Sequence, residues 1–173
     1  MRIIILLLVI ILSSVNCWSQ TESAEKNEQV HIVMGVLNSL IKLAEKNVED
    51  QMRLGEKESN KAYDQRIENL QIMVKREIDK LSSPEELVLA ARMSYAVLYR
   101  QDAEDIAYDR AFDMAFWECV NRLANDTSNE AVYGLRLIKR SGLVQGDISA
   151  INEAIQGQQK RLGAKQKPKR KVK

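Results

Sequence analysis

Residues 82–99 read SSPEELVLAARMSYAVLY, and this stretch contains the clearest helix start in the chain. Ser83 can accept a hydrogen bond from a free backbone N–H, Pro84 suits the first helical position, and Glu86 can reach back to the cap. Apolar residues then recur at helical spacing, as Leu87, Ala91, Tyr95 and Leu98. The sequence therefore predicts a helix from Pro84 to about Tyr99.

Helical periodicity continues on both sides of this stretch. On the N-terminal side a nearly heptad-like apolar seam comprises Tyr63, Ile67, Leu70, Val74, Ile78 and Leu81. The run from Gly55 to Lys61 has no apolar residue and favours a turn. Asp102 is a candidate N-cap, and Thr127 with Glu130 forms a candidate capping box. We predict helices over 25–54, 57–81, 103–124, from Thr127 to Arg140, and from Gly146 until Gly157 and Gly163 release the chain.

The sequence contains no alternating strand pattern, so it predicts an all-α fold. About six helices connected by short turns favour a compact bundle of sequential antiparallel pairs. The predicted helical hairpins differ in length and share no signature residues, which argues against a tandem repeat. We place the helical domain at residues 20–162.

The N-terminus has the three parts of a secretory signal peptide. Met1 and Arg2 give a positive start, Ile3–Leu12 is an unbroken apolar run, and small and polar residues follow from Ser13. The apolar run is shorter than the about 20 residues that a bilayer-spanning helix needs. Residues 1–19 are therefore predicted to be a signal peptide, with a mature periplasmic or secreted protein that begins near Gln20. Cleavage after Cys17, with Val15 three residues before the cut, is the alternative.

The chain has two cysteines, Cys17 and Cys119. Cys17 is expected to leave with the signal peptide. The alternative is a lipid-anchored form, because Cys17 follows the apolar run at lipoprotein spacing, although Ser14-Val15-Asn16 resembles a lipobox poorly. Cys119 lies in an apolar stretch and is expected to be a buried thiol, with an intermolecular disulfide as the alternative. An apolar core rather than disulfides must then hold the fold.

The C-terminus is strongly basic. After Glu153 the chain has eight basic residues and no acid, whereas residues 20–153 carry seven more acids than bases. We expect residues 163–173 to be a disordered tail that binds anionic lipid, lipopolysaccharide or nucleic acid by charge alone, or merely aids solubility. Uncompensated positive charge is thus predicted to be confined to the tail. The candidate anion-binding residues are Lys165, Lys167, Lys169, Arg170, Lys171 and Lys173.

An acidic stripe precedes and enters the fourth predicted helix. Its members, spaced three, four and four residues apart, are Asp102, Asp105, Asp109 and Asp113. At this spacing they share one helix face, where like charges repel by a few tenths of a kcal/mol per pair. The stripe is a candidate contact surface for a basic protein partner or a loose cation site, and the alternative is a solvated face. On the same helix Ala103, Ala107, Ala111 and Ala115 are spaced to let another helix approach closely.

The sequence lacks the motifs of common enzyme classes. His31 is the only histidine and has no acid or cysteine at metal-ligand spacing, and no Gly-rich phosphate loop or nucleophile elbow occurs. We therefore expect no catalytic, metal or cofactor site. The predicted function is an exported protein that binds another protein in an inhibitor, immunity-like or adaptor role, and a homodimer is also compatible. The alternatives are binding of polyanions or membrane surfaces through the tail, or a lipoprotein anchored at Cys17. Asn125 is a glycosylation acceptor if the source is eukaryotic.

Overall fold

The computed structural model describes residues 23–55, 58–98, 106–140 and 149–165, without the side chains of residues 23–25, 106–109, 164 and 165. Its helices are α1 (Ser23–Leu54), α2 (Asn60–Ile78), α3 (Pro84–Leu98), α4 (Ile106–Asn125), α5 (Asn129–Arg140) and α6 (Ser149–Lys165). None of these residues lies in a strand. No helix in these ranges has an apolar stretch long enough to cross a bilayer. The all-α prediction is confirmed.

Contacts along the chain divide it into two units, residues 1–31 and 32–173. In the first unit the described residues form the start of α1, where Asn27, Glu28 and His31 are exposed. The second unit contains the rest of α1 and the other helices, and their buried apolar side chains form one core cluster. The predicted signal peptide, residues 1–19, lies outside the described residues.

Most predicted helix positions agree with the structure, with differences at the ends. Gly55 ends α1 with a positive φ of 51°, as the predicted turn requires. The start predicted at Gly146 and residues 103–105 lie outside the described residues. The prediction that Gly157 and Gly163 release the chain is wrong, because α6 continues through both to Lys165. Residues 163–165 of the predicted tail are therefore helical, and residues 166–173 lie outside the described part.

Helix α4 is the centre of the bundle. It packs against α2, α3, α5 and α6, and its most extensive contact is with α3. Sequential pairing is therefore only part of the arrangement, because α4 has four neighbours instead of one partner. The small side chains of Ala111, Ala115 and Cys119 are fully buried along α4, which continues the predicted small-residue stripe by one turn. Small residues at this spacing let neighbouring helices approach closely.

The predicted cap of α3 is confirmed atom by atom. The Ser83 hydroxyl accepts from the Glu86 backbone N–H at 3.2 Å, and Glu86 Oε2 accepts from the Ser83 N–H at 3.1 Å. Glu86 also accepts from the Ser82 N–H at 2.6 Å and is only 3% exposed. Three backbone groups at the start of α3 thus find partners within the capping box.

The cap of α5 lies one residue later than predicted. The Ser128 hydroxyl, rather than Thr127, accepts from the backbone N–H three residues on, that of Ala131, at 3.2 Å. Asp126 Oδ1 in turn accepts from the Ser128 N–H at 2.8 Å. This aspartate turn presents Ser128 at the N-cap, because the short carboxylate fixes the backbone two residues ahead. Glu130 consequently falls at the second helical position, outside a capping box.

Side chains of α6 satisfy carbonyl groups at the C-terminal end of α4. The buried Gln158 donates through Nε2 to the carbonyl oxygens of Leu123 at 2.8 Å and Asp126 at 2.6 Å. Arg161 donates to the carbonyl oxygen of Ala124. The last carbonyls of a helix have no partner within the helix, so α6 acts as the cap of α4.

Arg122 connects α4 to the C-terminal end of α2. Its guanidinium donates to the carbonyl oxygen of Ile78 at 3.2 Å and to the Asp79 carboxylate. The same side chain donates to Glu118 Oε1 at 2.8 Å, one turn earlier in α4. A cation near the end of α2 also matches the negative end of that helix dipole. Arg122 therefore fixes the position of α2 on the central helix.

Two helical glycines have opposite surroundings. A β-carbon at Gly134 of α5 would lie 2.5 Å from Cγ2 of Val88 in α3, whereas one at Gly35 of α1 would meet no atom within 4 Å. A branched valine has little freedom to move aside. The absence of a side chain at Gly134 therefore allows α5 to approach α3.

We predict that Gly134→Ala lowers the free energy of unfolding by about 1–3 kcal/mol, because the added methyl overpacks the contact with Val88. The matched control Gly35→Ala should instead raise it by up to about 1 kcal/mol, because alanine lowers the entropy of the unfolded chain without a clash. Urea denaturation followed by circular dichroism measures both. Equal effects of the two substitutions would contradict the close approach of α5 and α3.

We also predict that Ser83→Ala destabilises the protein by about 1 kcal/mol, because the Glu86 N–H loses its acceptor. Ser83→Thr keeps a hydroxyl at the same position and should retain most of the stability. The same urea titrations test this pair, and an alanine variant as stable as the threonine variant would show that the cap does not contribute.

Candidate functional site

Asp113 is the member of the predicted acidic stripe whose side chain the structure describes. Asp102 and Asp105 lie outside the described residues, and Asp109 lies in α4 with an undescribed side chain. Asp113 lies on α4, four residues before Trp117, and although the residue is exposed on the surface, its carboxyl is partly desolvated. The stripe as a continuous surface therefore stays a prediction, and the site below is built around Asp113.

Asp113 borders a shallow cavity of about 180 Å³ between α2 and α4. Val74 and Met114 provide apolar surface there. We call this cavity the α2–α4 groove. Its polar and aromatic lining residues are Gln71, Lys75, Asp113, Trp117, Glu118 and Asn121.

Trp117 is a rigid part of the groove. Its ring packs edge-on against Phe116, with centroids 5.1 Å apart and an interplanar angle of 76°. Phe116 is buried and contacts the ring of Tyr95 in α3, with centroids 5.2 Å apart. Edge-to-face rings at these distances attract each other beyond their burial. Trp117 is thus held by the core while part of it remains open to the groove.

The environment of Asp113 favours its neutral form. Partial burial raises the pKa of the Asp113 carboxyl, and a hydrogen bond from the Trp117 side chain lowers this pKa by a smaller amount. Desolvation disfavours the charged carboxylate, which explains the direction. A basic group entering the groove would reverse the effect, because it would stabilise the carboxylate.

The charged residues of the groove differ in whether they already form an ion pair. Glu118 already accepts from Arg122 Nε at 2.8 Å. Lys75 is exposed and has no ion pair with any residue that the structure describes. Asp113 is therefore the acid of the groove without a described cationic partner. The groove can accept a side chain that combines an apolar stem with a hydrogen-bond donor.

A second polar cluster joins α1, α2 and α4, and sequence reasoning missed it. Arg66 donates twice to the Glu58 carboxylate, at 2.9 Å each, and once to the Asn47 side chain. The guanidinium groups of Arg66 and Arg110 lie 5.3 and 5.1 Å from the Tyr63 ring centroid. The hydrogen bonds from Arg66 lower the pKa of Glu58. A buried asparagine in an apolar stripe is the sequence signal, since Asn47 needs a polar partner.

The described residues contain no group of three or more His, Cys, Asp or Glu side chains that could hold a metal ion. His31 is exposed at the start of α1. Cys119 is buried as predicted, and burial raises the pKa of its thiol to about 12. Since the thiolate is the reactive form, this cysteine is protected from ordinary thiol chemistry.

The basic residues of the C-terminal part lie mostly outside the described residues. Lys165 is the last residue of α6, and its side chain is not described. Lys167, Lys169, Arg170, Lys171, Lys173 and Cys17 lie outside the described residues. Helix α5, however, exposes Arg136, Lys139 and Arg140, which form no ion pair with a described residue. The prediction that uncompensated positive charge is confined to the tail stays a prediction, and these three residues add exposed cations to the bundle itself.

No protein-family model, curated protein or solved structure matches this chain. The candidate site therefore depends on the geometry of the α2–α4 groove alone.

We predict that Trp117 fluorescence reports the protonation of Asp113. In a chain that begins at Gln20, Trp117 is the only tryptophan. Its emission should titrate with a midpoint above about 3.9, the ordinary aspartate pKa, and Asp113→Asn should remove this transition. Fluorescence between pH 3 and 7 tests this in both proteins.

The same pKa shift predicts a stability difference. Because folding raises the Asp113 pKa, the native state holds the proton more tightly than the unfolded state. The free energy of unfolding of the wild type, relative to Asp113→Asn, should therefore fall as the pH rises above about 4. A difference that is constant with pH would contradict the partial burial of Asp113.

Proposed function

We propose that this chain is an exported, non-enzymatic helical protein that binds another protein through the α2–α4 groove. The observation that carries the proposal is the pairing of Asp113 with the half-buried Trp117 in this groove. Tryptophan is enriched among residues that dominate binding energy when it lies in a small, well-packed depression. Asp113 beside it selects a basic group.

The size of the groove favours a protein partner over a small molecule. Sites for small molecules and cofactors usually measure about 300–1,000 Å³. A groove of about 180 Å³ takes a single side chain. We infer that the partner inserts a lysine or arginine, with its stem against Trp117 and Met114 and its charged end at Asp113.

Exposed apolar surface on α2 supports a larger contact around this anchor. Ile72, next to Gln71 of the groove, is 53% exposed. Single exposed apolar residues are ordinary on protein surfaces, so Ile72 supports the proposal only as contact area that a partner at the groove would cover. Charged neighbours on α2 such as Lys75 and Arg76 would form the rim.

The export part of the proposal depends on the N-terminal sequence alone. The positive start, the apolar run Ile3–Leu12 and the small residues after it support a signal peptide. The non-enzymatic part depends on the missing catalytic motifs. A form anchored through Cys17 stays an alternative for the location of the same protein.

The second candidate function is binding of polyanions through the basic tail. The observation that favours it is the run of eight basic residues without an acid after Glu153. Such binding would be weak and sensitive to salt, since it depends on the release of counterions.

Affinity capture with the chain from Gln20 as bait, from the native envelope, tests both candidates. We predict recovery of one stoichiometric protein partner. Trp117→Ala should raise the dissociation constant of the partner by about 30-fold or more, which is the effect expected of a hot-spot residue. Asp113→Lys should also weaken binding strongly, because the new lysine repels the basic group of the partner. Glu49→Lys, the same charge reversal at an exposed position of α1, is the matched control and should have little effect.

The outcomes separate the candidates. Because Trp117 contacts the core, circular dichroism must show that its variant remains folded, and the exposed Asp113 provides the independent test. Equal binding by Asp113→Lys and Glu49→Lys would exclude the groove as the contact. Recovery of polyanions alone, lost on deletion of residues 166–173, would replace protein binding by the second candidate.

A further inference from the structure

Helix α5 presents a basic surface with an exposed aromatic ring. The buried side of α5 comprises Ala131, Gly134, Leu135 and Ile138. On the opposite side Tyr133, Arg136 and Arg140 lie within about 60° of one another, because each residue advances the helix by about 100°. Tyr133 is 66% exposed, and Lys139 is exposed beside these residues. We call Tyr133, Arg136, Lys139 and Arg140 the α5 patch.

Some arginines and lysines of the bundle are paired with described acids, whereas those of the α5 patch, like Lys75 of the groove, are not. Arg53, Arg66, Lys80 and Arg122 each form an ion pair with an acid. Within the described ranges Arg136, Lys139 and Arg140 form none. Three cations without an ion pair to a described residue lie near the end of one short helix that also exposes Tyr133, and such a surface prefers anions.

Basic residues are also concentrated in the C-terminal part of the chain, which contains α5. Residues 20–128 carry 21 acidic and 14 basic side chains, whereas residues 129–173 carry 11 basic and 3 acidic ones. Helix α5 packs against α6, from whose end the basic tail continues. An extended anionic surface would therefore attract residues 129–173 and repel the rest of the chain from Gln20. This asymmetry orients the molecule with α5 towards the anion.

We propose that the α5 patch binds the surface of an anionic phospholipid bilayer. The patch is a convex helix face, which suits a flat layer of phosphate groups. A tyrosine combines an apolar ring with a polar hydroxyl and suits the headgroup region, and each arginine or lysine near an anionic surface strengthens binding about fivefold. Single-stranded nucleic acid is favoured less, because its binding proteins use grooves with several stacked aromatic rings.

This surface is distinct from the α2–α4 groove. The groove is lined by Lys75 as well as by Asp113 and Glu118, and its proposed ligand is a basic group that contacts Asp113, whereas the charged residues of the α5 patch are all cations and select phosphate. The chain would then dock on the membrane through α5 and present the groove on α2 and α4 to a protein. Membrane docking does not depend on the protein-binding proposal, and each can fail without the other.

Vesicle flotation with the chain from Gln20 to Lys165, which keeps every described helix and omits the rest of the tail, tests the proposal. The probes are vesicles of phosphatidylcholine alone and of equal parts phosphatidylcholine and phosphatidylglycerol. The double variant Arg136→Gln/Arg140→Gln should lose about 30-fold in partitioning to the anionic vesicles. The matched control Lys42→Gln/Lys46→Gln removes two exposed cations from α1 and should lose less than about twofold.

Tyr133→Ser tests the contribution of the aromatic ring, because this substitution leaves the net charge unchanged. It should lower partitioning to anionic vesicles severalfold while the salt dependence stays the same. Equal losses in the two double variants would show that only net charge acts, and no loss in either would show that the α5 cations do not contribute. No binding of this tail-less chain to the anionic vesicles would show that the omitted tail carries all binding. Each of these outcomes overturns the proposal. Tighter binding of a single-stranded oligonucleotide than of the anionic vesicles at the same ionic strength would also overturn it.

Discussion

The burial of α4 is the constraint on which the bundle depends. Helix α4 has four neighbouring helices, so most of its surface must fit against another helix. Few of its residues can therefore face solvent. Ala111, Ala115 and Cys119 keep one side of α4 thin, while Phe112 and Phe116 fill the space on another. Close packing of this kind tolerates little change in volume. Polar residues of α4 are correspondingly confined to the open α2–α4 groove and to the helix ends.

A central helix also raises a problem of hydrogen bonding, since the carbonyls at the C-terminal end of α4 lie against α6. The bundle solves this with side chains. Arg122 bonds the end of α2, and Gln158 and Arg161 bond the end of α4. Glu86, almost fully buried, does the same for backbone N–H groups at the start of α3. Buried polar groups without partners are costly, so these few bonds define how the helices are placed relative to α4.

The sequence predicted those features that depend on neighbours along the chain. The helices, the Ser83–Glu86 box and the burial of Cys119 follow from periodicity and local capping chemistry. Features that depend on residues distant in sequence were missed or only partly found. Sequential pairing could not show α4 as the centre, and nothing local indicates that Gln158 would cap a helix more than 30 residues earlier. For the site, the sequence predicted Asp113 as a candidate contact residue from the spacing of acids along α4. It could not predict the groove, because the other wall of the groove is formed by α2.

The capping of α4 by α6 has a consequence for the order in which the chain becomes native. The carbonyls of Leu123, Ala124 and Asp126 receive their donors from residues 32 to 37 positions later. A nascent chain that has not yet reached Gln158 and Arg161 can form α3 and α4, but it leaves the end of α4 open. Completion of the fold therefore coincides with synthesis of the last helix. Until then the last carbonyls of α4 lack these donors, so this end of the bundle closes only when the chain has been made through α6.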